Sequence, residues 1–546
     1  MMDNSSPQSA SQSVSHTALA SASVFAIAVF LRVPSCYESF WIDELHSAWC
    51  VWGNLADIAP RATTGHQSPV YFHGLWLWKQ IVGNAEVGLR LSSVLAVAVA
   101  CSVLTIGITR WSRSIVAGVA SGLTLAFESN SLFFGTELRP YAFVILFSSL
   151  ATVSFLRLLQ VPRHQSHSTL ALFVISILLA TLCQPTAAGV LAFLVLALLT
   201  VGTIANRRQF WKISWVDGLL VIATAVVGFA LWRITVSDTW EQRFHWSSFA
   251  TAHQVSDIWL AWDWTWLLIV PTSVTIIVAA VGRFRDETIP ETAGATLLLS
   301  LLAIGVTALY WTVSHFEWVP VWHRRYFIAV LPMFACIIGG ATGATQRLFQ
   351  ERPASLIAGI LTAAGLVTSL TYQQGTLQRL HRYPVALAVR GEDWRGALNW
   401  IQSKTNDDDH LFLDSGLIEV QHWLARHDGD PETTPLQMEF LLFPTSGPYE
   451  IAPDRPQTRQ VFRATHSGFG ALMAYDDLAK RHQTGIPDKF VILTRRTANK
   501  INLQSLRQIK VCQEDASRIH AFGSLSVVEI PTILESEPAG SVTVRP

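Results

Sequence analysis

Two carboxylates, Asp43 and Glu44, stand side by side in "FWIDELHSAW", among aromatic residues and just past the first long apolar run of the chain. A carboxylate there can accept a proton from a hydroxyl or help hold a cation, although a solvated loop acid is the plain alternative. His46 follows, and then "GHQSPVYFHGLWLWKQIVGNAEVGLRL", with His66, Pro69, Tyr71, Trp76 and Trp78, an aromatic stretch suited to a membrane interface. A second group, "GTELRPYAF", holds Glu137, Arg139 and Tyr141, which could line a substrate pocket or form an ion pair anchoring a helix end. The third is "VPVWHRRYFIAVLP", with His323, Arg324, Arg325 and Tyr326. Guanidinium groups take phosphate bidentately, and a protonated histidine can join them; snorkelling to lipid headgroups is the alternative. Trp240, Trp246, Trp259, Trp262 and Trp264 crowd one further loop, where indoles stack on sugars, lie along a lipid chain or form an interfacial belt.

These groups need elements to hold them, and the composition says which. Of 546 residues, 50% are hydrophobic and only 14% charged, with 21 tryptophans, too apolar for a soluble protein of this size. The formal net charge is zero, 39 basic against 39 acidic side chains, so nothing in the overall field recruits nucleic acid. About eleven runs are long enough to span hydrocarbon, near 17–33, 89–109, 114–134, 140–159, 168–183, 186–204, 216–236, 264–282, 293–313, 325–345 and 354–373. Residues 1–16 read as a disordered polar tail without the basic residues of a signal peptide, so the first run is expected to stay as an uncleaved span. With that tail in the cytoplasm, Arg110, Arg113, Arg157, Arg163, Arg207, Arg208, Lys212, Arg283, Arg285, Arg347 and Arg352 all fall on the cytoplasmic side. The loop 34–88, the loop 237–263 and everything past Tyr372 then face outward. Arg139, Arg243, Arg324 and Arg325 sit on the side where positive charge is not expected, and call for another reason.

Past about Leu377 charges become frequent and apolar runs shrink to strand length. "EDWRGALNWIQSK" puts Trp394, Ala397, Leu398 and Ile401 on one helical face, and "HLFLDSG" and "KFVILT" read as buried strands. The expected fold is an α-helical polytopic membrane unit over 17–376, including the first outer loop 34–88, followed by a soluble α/β domain over 391–546. No dinucleotide fingerprint, phosphate-binding loop or hydrolase triad accompanies that domain, and the six cysteines show no metal-finger spacing. Cys36 and Cys50 share one loop and could pair in an oxidising compartment, though free thiols are the expected state.

Taken together and in order, "WIDE", "HQSPVYFHGLWLWKQIVGNAEVGLRLSSVLA", "TELRPYAF" and "RRYFIAVLP" resemble the multi-pass GT-C glycosyltransferases of the protein O-mannosyltransferase and aminoarabinose transferase type, glycosyltransferase family 39. The resemblance covers about residues 17–373. It implies a polyprenyl-phosphate sugar donor, undecaprenyl or dolichyl, and transfer with inversion on the outer face of a plasma or bacterial inner membrane. By this similarity Asp43 is the candidate base, with Glu44 orienting it or helping to hold a cation. Glu137 and Arg139 match the acidic–arginine pair after the third span, and Arg324, Arg325 and Tyr326 match the arginine–tyrosine element before a late one. The His66 segment reads His-Gln-Ser-Pro, one residue longer than the family's His-Pro-Pro form. Some members require a divalent metal, Mg or Mn, but no ligand set here has diagnostic spacing. The acceptor, whether protein, lipid or glycan, is not encoded in these motifs. A transporter or flippase of a lipid-linked sugar, or a non-catalytic membrane scaffold, are the competing classes; a flippase also needs basic phosphate sites, but the repeat symmetry and intramembrane charges that transporters tend to show are not obvious beyond Arg233, and a scaffold predicts no penalty from altering Asp43.

Overall fold

Where no water reaches the backbone, an apolar chain satisfies its N–H and C=O groups by forming helices. The computed structural model describes residues 7–160, 167–205, 247–285, 291–349, 351–406, 409–414, 435–450, 460–461, 489–501 and 515–531, with a few isolated positions between 206 and 246. Among these, helical segments Ser15–Tyr37, Glu86–Ser112, Tyr141–Leu158, Thr265–Phe284, Thr292–His315, Ile328–Arg347 and Pro353–Gln373 are long and apolar enough to cross a membrane, and Ile115–Phe127, His167–Cys183 and Ala187–Thr200 are shorter apolar helices. They cover every expected span except 216–236, which lies outside the described residues.

Two expectations change. Residues 7–16 are not a disordered tail: helix α1 runs over Pro7–Arg32. Proline is at home in the first helical position, and a turn already nucleated by the apolar run propagates back through Ser, Gln and Ala at little cost. The span expected at 114–134 is broken. After α2 (Ile42–Trp52) and α3 (Glu86–Ser112), α4 covers Ile115–Phe127 and α5 covers Ser129–Phe134, separated by Glu128 in an extended conformation. The Glu128 side chain accepts from the Ser131 N–H at 2.7 Å and so caps α5. Then come α6 (Tyr141–Leu158), α7 (Glu291–His315), α8 (Leu331–Arg347) and α9 (Arg352–Gln373).

The chain divides into two compact units. The first takes residues 1–37, 66–83 and 87–389. At its centre α8 packs against α4, α7 and α9. Close approach depends on absent side chains: a Cβ at Gly339 would lie 2.8 Å from the Ala117 carbonyl and 2.9 Å from Ile108. Two buried arginines tie helices together through main-chain carbonyls that would otherwise lack donors. Arg32 donates to Ala28 and Ala126 oxygens and to Ser131 Oγ, and Arg90 to the Cys36 oxygen.

The second unit takes residues 38–65, 84–86 and 390–546. The first loop, expected to belong wholly to the membrane portion over 34–88, is therefore shared between the units, because its helix α2 buries its aromatic face within the second. Trp49 and Trp52 meet Phe440 and Phe443 of α11 (Pro435–Ser446), at 5.3 Å between ring centres in both pairs. Helix α10 (Trp394–Lys404) buries Trp394, Ala397, Leu398 and Ile401, the face its spacing predicts. Strands β1 (His410–Asp414), β2 (Gln460–Val461), β3 (Lys489–Thr494), β4 (Arg518–Phe522) and β5 (Leu525–Pro531) form one sheet in the order β2-β1-β3-β5-β4. β1 runs parallel to β2 and β3, and β5 is antiparallel to β3 and β4. The free thiols of Cys36 and Cys50 are both buried.

Candidate functional site

The first unit contains a cavity of about 620 Å³ walled by α5, the segments 251–261 and 322–327, and the chain just after α9. Its cationic lining is Arg324, Arg379, His253 and His323, and its aromatic lining includes Trp322 and Phe133. Arg324 opens a short 3-10 turn, Arg324–Tyr326, ahead of α8, with His323 as its cap. The expected span 325–345 thus begins later than the apolar pattern suggested, leaving the arginines outside the helix. The Arg324 guanidinium donates to the Leu260 oxygen at 2.7 Å and reaches Asn130 Oδ1 at 3.5 Å. Arg379 donates to the oxygens of Gln374 and Leu387, at 2.9 and 2.6 Å, and so fixes the wall formed by residues 387–389. The cavity's acid is Asp257, which accepts from the N–H groups of His253 and Gln254 at 2.8 and 2.9 Å. Above all the bond from Gln254 holds its carboxyl below the usual aspartate value, so it stays ionised at neutral pH. Two guanidiniums against one carboxylate leave a positive lining that suits an anion.

A second group gathers around Tyr141, at the start of α6 and 3% exposed. The charges of Arg325, Arg139 and Glu137, and the Tyr326 hydroxyl, are all within electrostatic reach of its hydroxyl. Arg325 lies over the Tyr326 ring, 5.0 Å from its centre, and donates to its hydroxyl at 3.2 Å. Glu137 and Arg139 are buried in the turn between α5 and α6. With its amide oxygen turned toward Arg139, Gln67 accepts from both guanidinium Nη atoms at 2.5 and 2.8 Å. Its neighbour His66 has a φ of 54°, a left-handed conformation that costs a side chain energy and marks a tightly determined turn. The fold therefore brings together the sequence groups at 66–67, 137–141 and 325–326. The expected phosphate-binding trio divides: Arg324 faces the cavity, whereas Arg325 and Tyr326 lie by Tyr141.

Asp43 and Glu44 belong to the second unit, in the first turn of α2. The Glu44 carboxylate is fully buried, accepts from the Trp41 N–H at 3.3 Å and lies 3.7 Å from Arg390 Nε. Beside it the Ile42 N–H donates to Glu392, which also receives Trp394 Nε1 and Arg495. These contacts give Glu44 a structural task. Asp43, one residue earlier, is only partly buried.

Among the described residues there is no group of three or more His, Cys, Asp or Glu side chains that could hold a metal ion. Trp262 and Trp264 are buried, with Trp262 against Phe327 and Phe334, rather than presented to sugar or lipid; Trp259 is exposed, and Trp240 and Trp246 lie outside the described residues. Sequence reasoning missed Glu128, Asn130, His253, Asp257 and Arg379. For two of them a signal existed. Glu128 is an acid inside an apolar run, which flags function by itself, and Arg379 is a basic residue just past the final span, on the side where positive charge is not expected.

Helices and sheet together make a polytopic helical fold with a C-terminal α/β unit, and that fold is shared with solved structures. The chain is similar to ArnT from Cupriavidus metallidurans in its apo state, with a TM-score of 0.55 at 13% identity over 96% of this chain and 98% of the other. It is also similar to that ArnT bound to undecaprenyl phosphate, at 0.51, 13%, 95% and 97% respectively. A weaker likeness, TM-score 0.42 at 12% identity, is to the Archaeoglobus fulgidus oligosaccharyltransferase, over 83% of this chain and 62% of the other. No family model matches the sequence, and no curated protein does.

Proposed function

We propose that this chain is an inverting glycosyltransferase that moves a sugar from a polyprenyl-phosphate donor to an acceptor hydroxyl at the extracytoplasmic face of a plasma or bacterial inner membrane. The observation that carries the reading is the cavity, in which Arg324 and its cationic neighbours share a wall with aromatic rings. Such a lining fits an anionic group attached to an apolar chain. The end-to-end similarity in fold to an ArnT bound to undecaprenyl phosphate points to the same ligand class. The surplus of basic residues at the opposite loops supports placing this end outside.

In the proposed step a carboxylate takes the proton of the acceptor hydroxyl. The oxygen attacks the anomeric carbon from the side opposite the phosphate, and the carbon–oxygen bond to phosphate breaks. The electron pair leaves on the phosphate, where guanidinium groups stabilise the charge that develops. We assign the base to Asp43, a residue that is only partly buried, and charge stabilisation to Arg324 and Arg325. His66, Glu137, Arg139 and Tyr141 are assigned to the acceptor side. A divalent cation, Mg or Mn, that assists the step would make release in the assay below fall on addition of EDTA.

The test is sugar release by the full-length protein in lipid nanodiscs, using radiolabelled undecaprenyl-phosphate sugars, with wild type against Asp43→Asn. Release by wild type and loss of at least about a hundred-fold in the variant, with undecaprenyl phosphate binding kept, is the expected result. Equal release by both proteins removes Asp43 from the mechanism. Movement of intact lipid-linked sugar across the bilayer without release would identify a flippase instead.

A further inference from the structure

The broken span places a buried carboxylate behind the cavity wall. Glu128 is 2% exposed, and four groups point their donors at it: the Ser131 N–H at 2.7 Å, Asn130 Nδ2 at 2.8 Å, Gln374 Nε2 at 3.4 Å and Ser129 Oγ at 3.5 Å. Gln374 closes the loop on itself by accepting from the Ser129 N–H at 2.8 Å. From the other side Arg32, fully buried, donates to Ser131 Oγ at 2.8 Å and to the Ala126 oxygen at 3.2 Å. A carboxyl oxygen that carries no proton only accepts, so Glu128 Oε1, which takes the bond from Asn130 Nδ2, sets which end of the amide faces it. The amide nitrogen turns to Glu128 and the oxygen turns outward, where it meets Arg324 Nη1 at 3.5 Å.

We infer that Glu128 and Asn130 are positioning residues that hold the Arg324 guanidinium toward an anion in the cavity; the inference rests on reading that cavity as the donor phosphate site. Arg324 is an exposed side chain with several rotatable bonds, and an arginine of that kind carries much rotamer entropy. Binding an anion requires that freedom to be given up, and two preset bonds, one to the Leu260 oxygen and one to Asn130, remove part of the cost beforehand. Asn130 does not need to touch the ligand. The capped start of α5 fixes it, and α5 is fixed in turn by Glu128, Gln374 and Arg32.

The experiment measures retention of radiolabelled undecaprenyl phosphate by the full-length protein in nanodiscs, for wild type, Arg324→Ala, Asn130→Ala, Glu128→Gln and the Arg324→Ala/Asn130→Ala double variant. Arg324→Ala is expected to weaken binding about ten-fold or more, and Asn130→Ala and Glu128→Gln about three- to ten-fold. The double variant is expected to bind no more weakly than Arg324→Ala, because a residue acting through Arg324 has nothing left to act on. Losses that simply multiply in the double variant would overturn the inference, since a merely structural Asn130 behaves that way. Normal binding by Asn130→Ala, with binding lost in Arg324→Ala, overturns positioning and leaves the phosphate site standing. Normal binding by Arg324→Ala sinks the phosphate site and the inference with it. Should Asn130→Ala not fold, Asn130→Ser keeps a small polar side chain without the amide's reach and carries the same comparison.

Discussion

Adjacent residues of one chemical type can have opposite tasks, and Asp43 and Glu44 show why. A helix turns about 100° per residue, so one of two neighbours faces the core while the other leaves it. Glu44 is the inward one, fixed by Trp41 and Arg390. Its replacement by Gln removes one of the two carboxylates, Glu38 and Glu44, that face the buried Arg390 and should cost about 2 kcal/mol of stability. Asp43→Asn keeps the shape of a side chain that is only partly buried and should cost less stability than Glu44→Gln, yet abolish transfer. Thermal melts of the two variants beside the release assay separate these outcomes; a strongly destabilised Asp43→Asn protein would show that both acids are structural.

Among the elements, α8 carries the tightest constraint. With α4 packed against it, Gly339 has a main-chain oxygen, not a yielding side chain, 2.8 Å from where a Cβ would stand. Gly339→Leu should therefore destabilise by about 3 kcal/mol or more. Gly365 of α9 has nothing within 4 Å of its missing Cβ, and Gly365→Ala should be neutral or gain about 0.5–1 kcal/mol from helix propensity. Detergent melts of the two proteins make the comparison, and equal behaviour would contradict the close packing. The same logic explains the interrupted span. Glu128 cannot lie along an apolar helix without partners, and the break turns its carboxylate onto the first N–H groups of α5.

For the molecule as a whole, the second unit offers a pH test. Lys489 of β3 bridges Asp409 and Glu529, at 3.6 and 2.9 Å, and His520 of β4 lies 3.2 Å from Glu529. Burial pushes the Glu529 carboxyl up, but hydrogen bonds and charge from Lys489 and His520 outweigh it and hold it below the ordinary 4.5. A folded-state value lowered in this way contributes stability that is complete above the ordinary glutamate range and is lost as pH falls through the lowered value. Hydrogen exchange in strands β3, β4 and β5 of the full-length protein should lose protection as pH drops below 4.5. In Glu529→Gln that dependence should flatten; an unchanged profile would remove the cluster from the account of this sheet.

The sequence alone determined most of the long apolar helices, the face of α10 and the central strands β1 and β3, because hydrocarbon length and the periods of helix and strand are local properties, whereas the break at Glu128 was not legible there. It also displayed each chemical group, since Asp43, Glu137, Arg139, Arg324 and Arg325 are conspicuous where they stand. Tertiary structure decided which of them meet. Arg324 turns to the cavity while Arg325 joins Tyr141, and Glu44 is buried beside Arg390 while Asp43 is not. Asn130 became legible only once folding brought it to Arg324, 194 positions along the chain. A side chain's neighbours across such a distance depend on how helices pack, which no local pattern of residues records.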